Sequence, residues 1–146
     1  MTPGQRLRQI ANLVNLSTPL GLLVSAASRC HLSGGPRGLL IAAGYAWKIP
    51  HARAFTVGNV VLYREPPGVA GRDLGLLGHE ERHSTQYAWC LGLPFLGLYG
   101  LAAAWSMIRT GTPGLANFFE RRAGLEAGGY IDHQGRETAR KPTEAA

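Results

Sequence analysis

The sequence predicts a mainly helical α+β domain in which a small antiparallel β-hairpin or sheet precedes a central helix. Residues 54–63 are rich in β-branched and aromatic side chains, which favour a strand. Apolar residues at helical spacing lie on both sides of this strand candidate. A chain of 146 residues has room for one compact domain. We therefore expect a single domain over residues 1–131 and a polar, disordered tail over 132–146.

The composition excludes several classes of protein. Only 16% of the residues are charged, and three Trp, five Tyr and four Phe can form a core, so the chain is not intrinsically disordered. Cys30 and Cys90 are too few for a disulfide scaffold and are expected to be small buried side chains, although one bridge between them stays open. The net charge is +6, but the arginines are dispersed, so nucleic acid is not expected as a partner.

The first element is a helical segment over residues 1–33. Leu7, Ile10 and Leu13 recur near helical spacing. No charged residue lies between Arg8 and Arg29, but polar residues interrupt the apolar ones there. Residues 20–28 come nearest to the apolar run and small-residue cleavage site of a signal peptide, but they lie late in the segment and follow a polar lead. We therefore predict an amphipathic or partly buried helix.

Two short apolar runs form the predicted β segment over residues 38–63. The first run covers residues 38–43 and the second covers 54–63, and residues 48–51 provide a turn between them. The second run is the better strand candidate because of its β-branched and aromatic content. The two runs fit a β-hairpin or a small antiparallel sheet.

Three further segments form the predicted helical half of the domain. Asp73 is a suitable N-cap for a helix over residues 73–90, and an apolar connector over 91–109 leads to a third helix over 115–127. The stretch 84–108 carries no charge and is long enough to cross a bilayer, although glycine and proline interrupt it. Two interpretations of this stretch therefore stay open, namely a buried helical hairpin and a segment seated in a membrane. We expect the protein in the cytoplasm, or peripheral or integral at the cytoplasmic membrane.

The strongest chemical signal is His79-Glu-Glu-Arg-His83, which matches H-E-x-x-H. On a helix, positions i and i+4 lie on one face, so both imidazoles can bind one metal ion. Glu80 lies one residue further round, where its carboxylate can take a proton from a metal-bound water without binding the metal. The pattern indicates a Zn²⁺ site with His79 and His83 as ligands and Glu80 as the catalytic base. The alternative is a pair of exposed histidines beside a solvated charged face.

A catalytic zinc ion needs a third protein ligand and one open position. Glu120 lies in the third predicted helix, and a helical hairpin before it would return that helix towards His79 and His83. Glu126 lies about 240° further round the same helix, so it cannot face the same ion. His133 is the other downstream candidate, but it belongs to the polar tail. We predict Glu120 as the third ligand.

The chain has A-R-A-F-T-V-G-N at residues 52–59 and L-L-G-H-E-E-R-H-S-T-Q at residues 76–86. These segments resemble small bacterial zincin-like metallopeptidase domains, which show A-R-A-x-T-x-G-N before L-L-x-H-E-x-x-H-x-x-Q. The sequence E-R-R-A at residues 120–123 is similar to the E-x-x-A segment that supplies the third ligand in gluzincins. The resemblance implies a zincin-like fold and a zinc site with the metal ligands His79, His83 and Glu120 and the catalytic carboxylate Glu80.

The sequence therefore supports two functional hypotheses. The first is a zinc-dependent metallopeptidase that hydrolyses a peptide or protein substrate by metal-activated water. The second is a non-catalytic protein that associates with a membrane through residues 84–108 and has a structural metal or none. Tyr130 is a candidate for stabilising an oxyanion, whereas four other aromatics are expected in the core or at a membrane interface, namely Tyr87, Trp89, Tyr99 and Trp105. No pattern indicates an oligomeric state.

Overall fold

The computed structural model describes residues 1–138, which form five α-helices, one short 3-10 helix and a four-stranded mixed sheet. This confirms the predicted α+β class. The elements follow the chain as α1 (Pro3–Val14), α2 (Ser17–Ala27), β1 (His31–Gly34), a 3-10 turn (Pro36–Gly38), β2 (Leu40–Ala43), β3 (Ala54–Val57), β4 (Val60–Tyr63), α3 (Leu74–Trp89), α4 (Pro94–Thr110) and α5 (Phe118–Ala123).

The second apolar run forms two strands rather than one. Gly58 has φ +65° and, with Asn59, turns the chain between β3 and β4. A side chain at Gly58 would collide with α2, because an added Cβ would lie 2.3 Å from the backbone nitrogen of Thr18. The turn therefore needs glycine both for its conformation and for the close approach of α2.

The sheet has the strand order β1-β2-β4-β3 and is mixed. The antiparallel hairpin is β3–β4, which lies inside the run predicted as one strand. The predicted antiparallel pairing of the two apolar runs is wrong, because β4 lies between β3 and β2 and pairs with β2 in parallel. All four side chains of β4 are fully buried. The most apolar strand therefore takes the central position, where both of its faces are covered.

The N-terminal segment contains two helices and an edge strand instead of one continuous helix. Leu16, with φ +67°, ends α1, and the Asn15 side chain accepts a hydrogen bond from the Ser17 backbone at 3.1 Å. Helix α2 then packs closely on the sheet, since a Cβ added at Gly21 would lie 2.4 Å from the Val57 carbonyl oxygen. Among residues 1–138, no single helix has the length and apolar character needed to cross a membrane, while α1 and α2 meet that test only as a pair bent by 72°.

The core lies on both faces of the sheet and fixes the position of α3. One buried cluster joins β2 and β4 to the start of α3 through Ile41, Val61, Tyr63 and Leu77. A second cluster on the other side contains Val60, Leu62, Tyr87 and Phe95. Burial of such apolar side chains is the main contribution to stability, at roughly 1.5–3 kcal/mol for each large one.

A buried polar network links three elements that are distant in sequence. The side-chain amide of Asn12 in α1 donates to Asn59 Oδ1 and to the Ser84 backbone oxygen, both at 2.9 Å. The Ser84 hydroxyl also donates to Asn59 Oδ1 at 2.9 Å. Because these groups are buried, each of them needs a hydrogen-bonding partner. The network therefore fixes α1 and the β3–β4 turn against the middle of α3.

The last described residues form short turns. Helix α5 is shorter than the predicted helix 115–127, because Gly124 with φ +104° ends it. The predicted tail begins with a turn in which Ile131 pairs with Glu137 in an isolated bridge. The rest of the tail, residues 139–146, lies outside the described residues. Cys30 and Cys90 are both free and half-buried.

Candidate metal centre

The two histidines of the H-E-x-x-H motif lie on one buried face of α3 and meet the carboxylate of α5. His79 Nε2 and His83 Nε2 are 3.0 Å apart. Glu120 Oε2 lies 3.2 Å from His79 Nε2 and 3.5 Å from His83 Nε2. All three side chains are buried. The three residues that the sequence predicts as metal ligands therefore converge on one point, and as a group they could hold a metal ion.

The outer ring nitrogens show which imidazole nitrogens carry protons. His79 Nδ1 lies 3.0 Å from the Gly124 carbonyl oxygen, which can only accept a hydrogen bond. His83 Nδ1 lies 2.8 Å from Gln86 Oε1, and Gln86 Nε2 donates to the Phe119 carbonyl oxygen at 3.0 Å, which fixes the orientation of the amide. Both Nδ1 atoms are therefore donors, and in the neutral rings both Nε2 atoms present lone pairs to each other.

The donor set needs a cation to be satisfied. Glu120 Oε2 is buried and accepts no hydrogen bond within the described residues. With both rings neutral it faces two Nε2 lone pairs, so the three electron-rich atoms need a metal ion, or a proton on one Nε2, between them. Tetrahedral zinc with bonds of about 2.05 Å separates its ligand atoms by about 3.3 Å. The observed separations of 3.0, 3.2 and 3.5 Å fit such an ion.

The electrostatics of the pocket also favour positive charge. Burial lowers the pKa of His83, but the nearby Glu120 carboxylate outweighs this effect and leaves that pKa above its usual value. Burial raises the pKa of Glu120, yet its interactions with His79 and His83 bring that pKa far below the usual value. The carboxylate is therefore ionised, as a metal ligand has to be.

Side chains of α3 hold α5 in place. Arg82 Nη1 donates to the Ala123 carbonyl oxygen at 2.6 Å, beside the contact of Gln86 with Phe119. At the other end of α5, the Asn117 side chain caps the helix by accepting from the Phe119 backbone nitrogen at 3.0 Å. These contacts place Glu120 in the first turn of α5, opposite the two histidines.

Tyr99 is a site residue that the sequence does not reveal. We expected it in the core or at a membrane interface, but its hydroxyl donates to Glu120 Oε1. Burial and the charge of Glu120 raise the pKa of Tyr99, so the phenol stays protonated and remains a donor. Its position on α4 determines this contact, and no local motif marks it.

Glu80 is buried beside the histidines and has its own anchor. The Thr56 hydroxyl of the edge strand β3 donates to Glu80 Oε2 at 2.7 Å. Burial raises the pKa of Glu80, while the charge of His83 and the Thr56 hydrogen bond reduce that rise. The neighbouring Glu81 points away from the site and pairs with Arg8 at 2.8 Å and Arg37 at 3.0 Å.

Comparison with known proteins gives no family for this chain. No family model matches it, and neither a curated protein nor a solved structure matches it. The resemblance to zincin-like domains therefore stays a prediction. The chemistry of the site has to be inferred from the buried His79, His83 and Glu120 group itself.

The other candidates lie apart from the metal centre or at its margin. Glu126 and His133 are exposed and pair with each other, so neither completes the donor set. Tyr130 is close enough to Glu120 for that charge, together with burial, to raise the pKa of its phenol. The segment between Glu126 and Tyr130 covers the site, since Gly128 lies against the His79 ring.

Proposed function

We propose that the chain is a zinc-dependent metallopeptidase with His79, His83 and Glu120 as ligands and Glu80 as the catalytic base. The observation that carries this proposal is the convergence of two imidazole nitrogens and one unpartnered carboxylate oxygen on one point. Two imidazoles and one carboxylate form a donor set typical of catalytic zinc. Since the described residues provide three ligands, a fourth position is left for water or substrate.

The chain's own groups account for the proton transfer and for substrate binding. A bound Zn²⁺ would act as a Lewis acid and bring the pKa of a water molecule towards about 7. Thr56 binds Glu80 Oε2, which orients the carboxylate and leaves Oε1 to accept a proton from the attacking water. Strand β3, which carries Thr56, lies at the edge of the sheet, where an extended peptide can pair with its backbone.

Two adjacent glutamates provide a matched test. We expect purified protein to bind one zinc ion, and Glu80→Gln to keep the metal while losing hydrolysis of a fluorogenic peptide library. Glu81→Gln is the control, because Glu81 pairs with Arg8 and Arg37 outside the site. It should keep both metal and cleavage. Absence of stoichiometric zinc after reconstitution would reject the metal site, and cleavage by Glu80→Gln equal to wild type would reject Glu80 as the base.

A structural metal is the second candidate role. All three ligand side chains are deeply buried, which limits the access of a substrate to the ion and favours this role. In that case zinc would bind stoichiometrically, its removal would lower the melting temperature, and neither wild type nor Glu81→Gln would cleave any peptide. The same measurements therefore separate the two roles.

A further inference from the structure

Helix α1 buries its polar side and exposes its apolar side. Arg8 and Asn12 face the protein and are buried, whereas Leu7, Ile10 and Val14 are 69%, 59% and 74% exposed. At about 100° per residue, these three apolar side chains lie opposite Asn12. A surface helix of a globular protein normally has the reverse arrangement. The exposed side of α1 therefore lacks a partner within residues 1–138.

Two leucines at neighbouring turns extend this apolar surface. Leu16 and Leu91 adopt φ of +67° and +59°, a conformation that favours glycine or asparagine, and they are 59% and 77% exposed. The two turns touch each other, since a Cβ added at Gly92 would lie 2.5 Å from Asn15 Cγ. Leucine is unfavourable at both positions and gains little burial there. Packing within the chain therefore does not explain why leucine occurs at these two turns.

The chain segments that carry these leucines contain no acidic residue. Residues 1–64 contain seven Lys or Arg and no Asp or Glu, and residues 82–119 also contain no acidic residue. Arg6 on α1 and Arg29 after α2 are exposed and form no ion pair in the described part of the chain. Such a face repels a second copy of itself and attracts an anionic surface.

We propose that Leu7, Ile10, Val14, Leu16 and Leu91 form a docking face that binds the surface of an anionic lipid bilayer. Helix α1 lies in the plane of the interface with its apolar side among the acyl chains and Arg6 among the headgroups. Trp89, which is exposed beside this face, suits the boundary between lipid and water. The docking face lies mainly on α1 and overlaps the stretch 84–108 only at Trp89 and Leu91. It does not depend on the metal or on catalysis.

Flotation with lipid vesicles tests the docking face on the whole protein. We expect binding to phosphatidylcholine vesicles that contain about 30 mol% phosphatidylglycerol and weaker binding to phosphatidylcholine alone. The triple variant Leu7→Gln, Ile10→Gln and Val14→Gln keeps good helix formers on exposed positions, so it should fold and lose about tenfold or more in partition coefficient. The matched control is Val69→Gln with Leu74→Gln, which changes exposed apolar residues elsewhere and should bind like wild type.

A second variant tests the two strained leucines. Leu16→Asn with Leu91→Asn relieves an unfavourable backbone conformation, so the melting temperature should rise while vesicle binding falls. If the partition coefficient of this variant equals that of wild type, neither leucine belongs to the docking face. The opposite signs of the two effects separate loss of docking from loss of folding.

Three outcomes would overturn the proposal. Wild type that fails to float with anionic vesicles at low salt would exclude the bilayer as partner. Equal partition of the triple variant and wild type, with binding abolished by about 0.5 M salt, would indicate adsorption by charge without the apolar face. A dimer in light scattering that the triple variant dissociates, without vesicle binding, would assign the face to a second copy of the chain.

Discussion

At the scale of single residues, Gly128 determines where the His79 ring lies. A Cβ added at Gly128 would approach His79 Cε1 to 2.6 Å and Nε2 to 3.1 Å. We expect Gly128→Ala to move the ring and to weaken zinc affinity about tenfold or more, measured by competition with a chelator. The control is Gly129→Ala, where no atom lies within 4 Å but φ is +78°. Gly129→Ala should destabilise the fold by about 1 kcal/mol and keep the zinc affinity of wild type. If Gly128→Ala binds zinc as tightly as wild type does, the contact between Gly128 and His79 is unimportant for the site.

The hydroxyl of Tyr99 positions Glu120, the proposed third ligand. It donates to Glu120 Oε1, and this leaves Oε2 to face the histidines. Tyr99→Phe should lower zinc affinity about tenfold, since partners of metal ligands typically contribute that much. Tyr87→Phe is the matched control, because Tyr87 packs against Phe95 in the same aromatic cluster without touching Glu120. If both variants bind zinc equally well, the Tyr99 hydrogen bond has no role in the site.

At the scale of elements, Asp73 determines where the motif helix begins. Its side chain accepts from the Leu76 backbone nitrogen at 3.0 Å and pairs with Arg53 at 2.9 Å. Asp73→Ala should cost about 1 kcal/mol of unfolding free energy, while Asp73→Asn retains the cap and should cost less. Chemical denaturation of the three proteins measures both differences.

The lowered pKa of Asp73 predicts the direction in which the stability of the fold changes with pH. The hydrogen bond from Leu76 and the charge of Arg53 hold the pKa of Asp73 below its usual value. A lowered folded-state pKa contributes stability above the unfolded-state value of about 3.9, and this contribution disappears as the pH falls through the folded-state value. The stability difference between wild type and Asp73→Ala should therefore shrink below pH ~4. A difference that stays constant down to pH ~2 would contradict this account.

Elements set by local patterns could be predicted, while those set by contacts between distant residues could not. The motif helix follows from Asp73 and from the spacing of His79 and His83, all within one segment. The break at Leu16 was not predicted, because leucine seldom takes a left-handed conformation. The parallel pairing of β2 with β4 depends on the insertion of β4 between two strands, which no local pattern encodes.

The candidate site also contains residues that the sequence predicts and residues whose roles depend on contacts between distant segments. Glu120 could be predicted from chemistry, since the motif needs a third ligand and Glu120 lies in a helix that a hairpin returns to α3. Tyr99 and Gly128 could not be predicted, because their contacts depend on how α4 and the segment after α5 cross the histidines. The anchor of Glu80 on Thr56 likewise depends on the packing of α3 against β3.

At the scale of the whole molecule, the candidate metal centre brings together residues from the first and the last helix of the C-terminal half. His79 and His83 come from α3, whereas Glu120 arrives after the whole of α4. Without a cation, the buried Glu120 Oε2 and two imidazole nitrogens face each other at 3.0–3.5 Å. Metal binding should therefore stabilise the folded chain as a unit, because the unfolded chain does not bring these ligands together.

Removal and return of zinc tests this coupling by thermal unfolding. Free zinc at about 100 times its dissociation constant should add about 2.7 kcal/mol, which raises the melting temperature of a chain of this size by roughly 5–10 °C. Glu120→Gln should respond weakly or not at all, because the amide replaces the ionised ligand. Glu126→Gln is the matched control, since Glu126 pairs with His133 outside the donor set and its loss should leave the zinc response intact. If zinc leaves the melting temperature of wild type unchanged, or raises that of Glu120→Gln by the same amount, the three side chains do not bind the metal together.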